Sequence, residues 1–170
     1  PEVVDRKLIA KYQIAVSEWE RRRRKKAGLA NAHYLRFDNW FVILVSEGHH
    51  AIKLPTSKGG EREQLKDCRV SPITIGGYAV SYRRSGVREP GQPLKWRAHV
   101  RIDQQSYNRL KAYFESIAVH RRADTLACEI QAIPYARYAP IRRQLLNITR
   151  RINTLRSAHG YDAISYSKIG

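Results

Sequence analysis

From Leu94 to Ile102 apolar and polar residues alternate without a break. Leu94, Trp96, Ala98, Val100 and Ile102 hold one phase, and Lys95, Arg97, His99 and Arg101 the other. A period of two predicts a β-strand with one face against a core and a basic face turned outward. Trp40 to Val45 is a continuous apolar run within a first strand expected over 33–45, and it reads as buried on both faces. A second strand is expected over 73–84, where Ile73 and Ile75 alternate and Tyr78, Val80 and Tyr82 resume one register later. The Gly76-Gly77 pair between them predicts a bulge. The polar stretch 55–67, with Gly59-Gly60 at its middle, reads as a loop. Residues 85–93 read as a long hairpin connection that returns the basic strand antiparallel.

Helical spacing takes over outside these strands. Val4, Leu8 and Tyr12 recur every four residues. Ser17-Glu18-Trp19-Glu20 has the form of a capping box ahead of six consecutive cations, and Gly28 is a stop signal. Ser106 suits the N-cap of a helix running toward Ile133, which bends or divides at His120-Arg121-Arg122. Pro140 fits the first position of a last helix. There Ile141, Leu145, Ile148, Ile152 and Leu155 fall every three or four residues as one apolar seam, and Gly160 closes the helix. The expected fold is α+β, a three-stranded antiparallel sheet with an N-terminal helix and two C-terminal helices. Residues 1–30 are expected to form a basic N-terminal helix and 31–133 the α+β core. Residues 134–170 are expected as a basic C-terminal helix packed on or appended to that core.

Charge turns this architecture toward a partner. The 170 residues carry 32 Lys and Arg against 15 Asp and Glu, a formal net charge of +17. Self-repulsion at that charge opposes compaction and a polyanion relieves it, so nucleic acid, DNA or RNA, is the expected partner. A hydrophobic fraction of 42% belongs to a folded chain, not a disordered basic tail. No apolar run approaches the roughly 18 residues of a membrane span, and no membrane partner is expected. Cys68 and Cys128 share no ligand spacing, which predicts no disulfide framework, no zinc site and an intracellular setting, cytoplasmic or nucleoid or nuclear. Pro1 in place of an initiator, with no methionine anywhere, is expected of a portion of a longer chain.

Three basic elements are the candidate binding residues. The first is Arg21, Arg22, Arg23, Arg24, Lys25 and Lys26, a run that surrounds a helix and repels itself one turn apart. The second is the strand face Lys95, Arg97, His99 and Arg101. The third is the acid-free segment 134–160, where Arg143, Asn147 and Arg150 lie opposite the apolar seam and Arg137 and Arg151 add charge. Tyr78, Tyr82, Trp96 and Tyr107 read more readily as core than as base-stacking platforms, whereas Tyr135 and Tyr138 flank Arg137 in an exposed linker. The expected function is nucleic-acid binding through phosphate contacts within a nucleoprotein or mobile-element complex, with other proteins of that complex as further partners. No cofactor or metal is expected.

An alternative is a metal-dependent nuclease or transposase-like enzyme centred on Asp38, Glu47, His49 and His50, the carboxylates and histidines at the ends of the first strand. A further alternative is an interaction subunit docking an acidic protein. The order helix, three strands, helix resembles double-stranded-RNA-binding domains, with longer segments and larger loops. Arg36-Phe37-Asp38-Asn39-Trp40-Phe41-Val42 resembles the palm hairpin of reverse transcriptases, but without the paired aspartates that hold metal there, so polymerisation is not implied. Neither resemblance spans enough of the chain to assign a family.

Overall fold

A computed structural model describes residues 2–38, 40–53, 65–84, 91 and 95–168. Most of the expected loop 55–67 and connection 85–93, together with Leu94, lie outside the described residues. The chain divides into two compact units, Pro1–Leu65 and Lys66–Gly170. The fold is α+β, with five α-helices and two small antiparallel sheets among the described residues.

The first unit holds α1 (Glu2–Lys11), α2 (Glu18–Lys26) and a hairpin of β1 (Ala32–Phe37) and β2 (Trp40–Val45). The single strand expected over 33–45 is therefore two. Asp38, at φ 39°, turns the chain between Phe37 and Trp40. One hairpin face carries Ala32, Tyr34, Ile43 and Val45 against Leu8 and Ile9 of α1 and the buried Tyr12 and Ile14. Asp5 fixes the helix to this face, accepting from the Tyr34 hydroxyl and the Arg36 guanidinium, both at 2.6 Å. The apolar run is not buried on both faces, because a two-stranded sheet has one cover here. Leu35, Phe37, Trp40 and Leu44 point the other way and remain well exposed. Behind the hairpin, residues 28–31 pair with 46–49: His49 N–H donates to Gly28 O and Ala30 N–H to His49 O. Gly48 permits this approach. Its φ is 114°, and a Cβ there would stand 2.5 Å from the Gly28 oxygen.

The second unit orders β3 (Ile73–Ile75), β4 (Tyr78–Arg84) and β5 (Trp96–Ile102) as one sheet, followed by α3 (Gln104–Ile117), α4 (Ala123–Gln131) and α5 (Ala139–Ala158). The expected helix arrangement needs correction at both ends. Two helices precede the sheets, and the stretch from Ser106 to Ile133 is two helices, so three follow them. Gly76-Gly77 is not a bulge. Both glycines have positive φ and form a two-residue hairpin turn between the paired Ile75 and Tyr78, splitting the expected strand into β3 and β4. The N-cap of α3 is Asp103 and not Ser106. The Asp103 carboxylate accepts from the Ser106 amide at 2.9 Å, which starts the helix as soon as β5 ends. Those amide donors hold its carboxyl below the ordinary value.

The core lies between these helices and one end of the sheet. Ile141, Leu145, Ile148 and Ile152 of the α5 seam are buried with Ile102 and Phe114. Gln144 aligns α5 with the sheet edge. Its side-chain amide accepts from Ile102 N–H at 2.8 Å and donates to Ile102 O at 3.1 Å, as a neighbouring strand would. No described helix is long and apolar enough to cross a membrane.

Candidate nucleic-acid interface

Cross-strand register builds the basic surface. Ala79 faces Arg101, Ser81 faces His99, and Arg83 faces Arg97, so these six share one face of the sheet. Ala79 and Ser81 are buried, His99 and Arg101 half-buried, and Arg83 and Arg97 exposed. Small residues opposite large cations leave Arg83 and Arg97 as the outermost groups of this face, with His99 and Arg101 partly enclosed. The Gln144 clamp brings its neighbour Arg143 to the same place, close enough for its charge to act on His99. Burial first, then the charges of Arg83, Arg101 and Arg143, holds the His99 imidazole below its ordinary value.

None of Arg83, Arg97, Arg101 and Arg143 forms an ion pair among the described residues. Two buried nitrogens in the cluster, His99 Nδ1 and Arg101 Nε, have no hydrogen-bond partner. A buried donor left unmatched costs stability, so like charges and orphaned nitrogens gathered on one face need a physical reason. On α5 a shallow groove of about 330 Å³ adjoins Arg143, lined also by Arg142, Leu146, Asn147 and Arg150. Guanidinium groups in this arrangement present forked donors suited to phosphate oxygens.

Other candidate residues have local duties. In the Arg21–Lys26 run, Ser17 Oγ caps α2 by accepting from Glu20 N–H. Glu18 pairs with Arg22, and Glu20 with both Arg23 and Arg24, which relieves the repulsion expected of six adjacent cations. Arg21 is half-buried, while Lys25 and Lys26 are exposed at the end of α2, where cations suit the helix dipole. Lys95 is exposed just before β5. Arg137 donates to the Ile130 and Gln131 carbonyls and so caps α4. Arg151 pairs with Glu115 at 2.8 Å, and Arg150 donates to the Asn147 amide oxygen beside it.

The carboxylates and histidines around the first hairpin do not converge. Asp38 sits at its turn, and Glu47, His49 and His50 follow its far end. The length of β2, about 17 Å at the usual rise per residue, separates them, against metal–ligand distances of about 2–2.6 Å. No group of three or more His, Cys, Asp or Glu among the described residues is placed to hold a metal ion.

Arg83, Arg142 and Gln144 were not legible as site residues. Arg83 meets Arg97 only through a hairpin register set across residues 85–94, and Gln144 reads in sequence as one more polar position of an amphipathic helix. Tyr78 and Tyr107 pack against the core, as their spacing suggests, whereas Tyr82 and Trp96 do not. Comparisons with protein-family models, curated proteins and solved structures find no match.

Proposed function

We propose that this protein binds nucleic acid through phosphate contacts on the second unit. Arg83, Arg97 and Arg101 of the sheet and Arg142, Arg143 and Arg150 of α5 supply the charge. One observation carries the reading: Arg83, Arg101 and Arg143 bring their charge to bear on His99, none of them paired to a carboxylate among the described residues, and two nitrogens of the cluster are buried without a partner. A phosphate satisfies both the charge and the donors, and a polyanion satisfies all the arginines together. Chains bearing +17 gather such an anion in solution.

Salt titration tests this directly. Neutralising about six phosphates gives a slope near −5 on duplex DNA and near −4 on single strands, or a loss on the order of a thousandfold between about 50 and 200 mM salt. Arg97→Glu with Arg101→Glu reduces the magnitude of that slope by about two and weakens binding, with circular dichroism unchanged. A flat titration on both DNA and RNA overturns the proposal, as does full affinity in the folded double variant.

A further inference from the structure

The opposite face of the same sheet carries a second feature that the phosphate contacts do not use. By register, Tyr78, Val80 and Tyr82 of β4 share this face with Trp96, Ala98, Val100 and Ile102 of β5. The helices cover one end, where Tyr78, Val100 and Ile102 join the core. The other end stays open: Tyr82 is 43% exposed and Trp96 37%. Their rings lie nearly parallel, at 16°, with centroids 5.5 Å apart. The Arg84 guanidinium lies 5.4 Å from the Trp96 ring centre and that of Arg69 5.5 Å. Asp67 pairs with Arg69, so the charge that Arg69 lays over the indole is neutralised, while Arg84 forms no ion pair among the described residues.

Among the described residues no helix covers the Trp96 end of this face, where the Arg69 and Arg84 guanidinium groups lie over the indole, and that charge selects among occupants. Arg84 and Trp96 face each other in the register pair next to Arg83 and Arg97, so the aromatic pair and two of the phosphate-binding arginines share one end of the sheet. β5 is an edge strand, and Gln144 covers that edge at Ile102, the far end from Trp96. A ligand that lays a flat ring on aromatic side chains and brings an anion to Arg84 is a nucleotide. Its base must be unpaired, because stacked neighbours in a duplex cover both faces of every base. Building on the phosphate-contact reading above, we propose that Tyr82 and Trp96 form a stacking platform for unpaired nucleobases, with Arg84 on the adjoining phosphate, so that the preferred ligand is single-stranded. The strand passes the Trp96 end of β5, its bases on the aromatic face and its backbone within reach of Arg97.

The test uses the full chain and two labelled strands with equal phosphate counts. One is an oligothymidylate about 12 nucleotides long and the other an abasic strand of the same length. The wild type is expected to bind the oligothymidylate on the order of tenfold or more tightly than the abasic strand. Trp96→Ala removes that preference and leaves the abasic affinity unchanged, and Trp96→Phe restores most of it. In a Trp19→Phe, Trp40→Phe background Trp96 is the sole indole, and its emission is quenched by the oligothymidylate and not by the abasic strand. Equal binding of the two strands by the wild type, with unquenched Trp96 emission, overturns the platform. A Trp96→Ala loss of the same size on both strands also overturns it. The phosphate reading survives either result if Arg97→Glu with Arg101→Glu still weakens both strands. Absence of binding to either strand at low salt overturns both readings.

Discussion

Arg156 offers the sharpest test of how this fold handles its excess charge. It lies in the last turn of α5 and is 3% exposed, with no carboxylate paired to it among the described residues. Three carbonyls hold its guanidinium instead: Ala118 O at 2.6 Å, Arg121 O at 2.7 Å and Asp162 O at 2.5 Å. Ala118 is the C-cap of α3, so the cation also meets the negative end of that helix. Hydrogen bonds to a charged group contribute about 1.5–3 kcal/mol each, which puts three at about 5–9 kcal/mol gross. Burying the guanidinium takes back several kcal/mol. Arg156→Met keeps the bulk and removes the donors, leaving the buried Ala118 carbonyl unmatched, and should cost about 3–5 kcal/mol. Arg156→Lys keeps the charge without the fork and should cost about half as much. Two compact units need not unfold together, so the readout is hydrogen exchange of α3 and α5 amides, which reports this unit alone. Wild-type exchange in Arg156→Met would refute the reasoning, because the carbonyl cradle would then contribute nothing net.

Three further outcomes rest on the same packing and charge. Ile148→Ala, at a seam position 1% exposed, should destabilise the second unit by about 2–5 kcal/mol in urea titration, at a midpoint independent of protein concentration because the seam packs within its own unit. His99 is held below its ordinary value near 6.5, so the unfolded chain binds this proton first; its contribution to stability is full above pH ~6.5 and is lost as pH falls toward the folded value. A bound phosphate favours the imidazolium, so affinity at fixed salt should rise from pH ~7.5 to ~5.5 and the rise should vanish in His99→Gln; the same profile in that variant would count against His99 facing the anion.

The sequence by itself determined the local periodicities and the charge. The α5 seam from Ile141 to Ile152, the Ser17 cap, and the opposed phases of Trp96 and Arg97 were readable because each depends on neighbours a few residues away. Tertiary structure decided which end of each face is covered. Alternation alone assigns Trp96 to a core and His99 to water, yet Trp96 is exposed and His99 half-buried, because the helices reach only the Ile102 end of the sheet. It also decided which cations are available. Arg137 caps α4, Arg156 is enclosed by backbone carbonyls, and Glu18 and Glu20 pair with three arginines of α2, whereas Arg83, Arg101 and Arg143 act together on His99. A residue's type fixes its charge and its spacing fixes its phase. Its partner is fixed by contacts between segments far apart in the chain, such as Gln144 with Ile102, that no local pattern encodes.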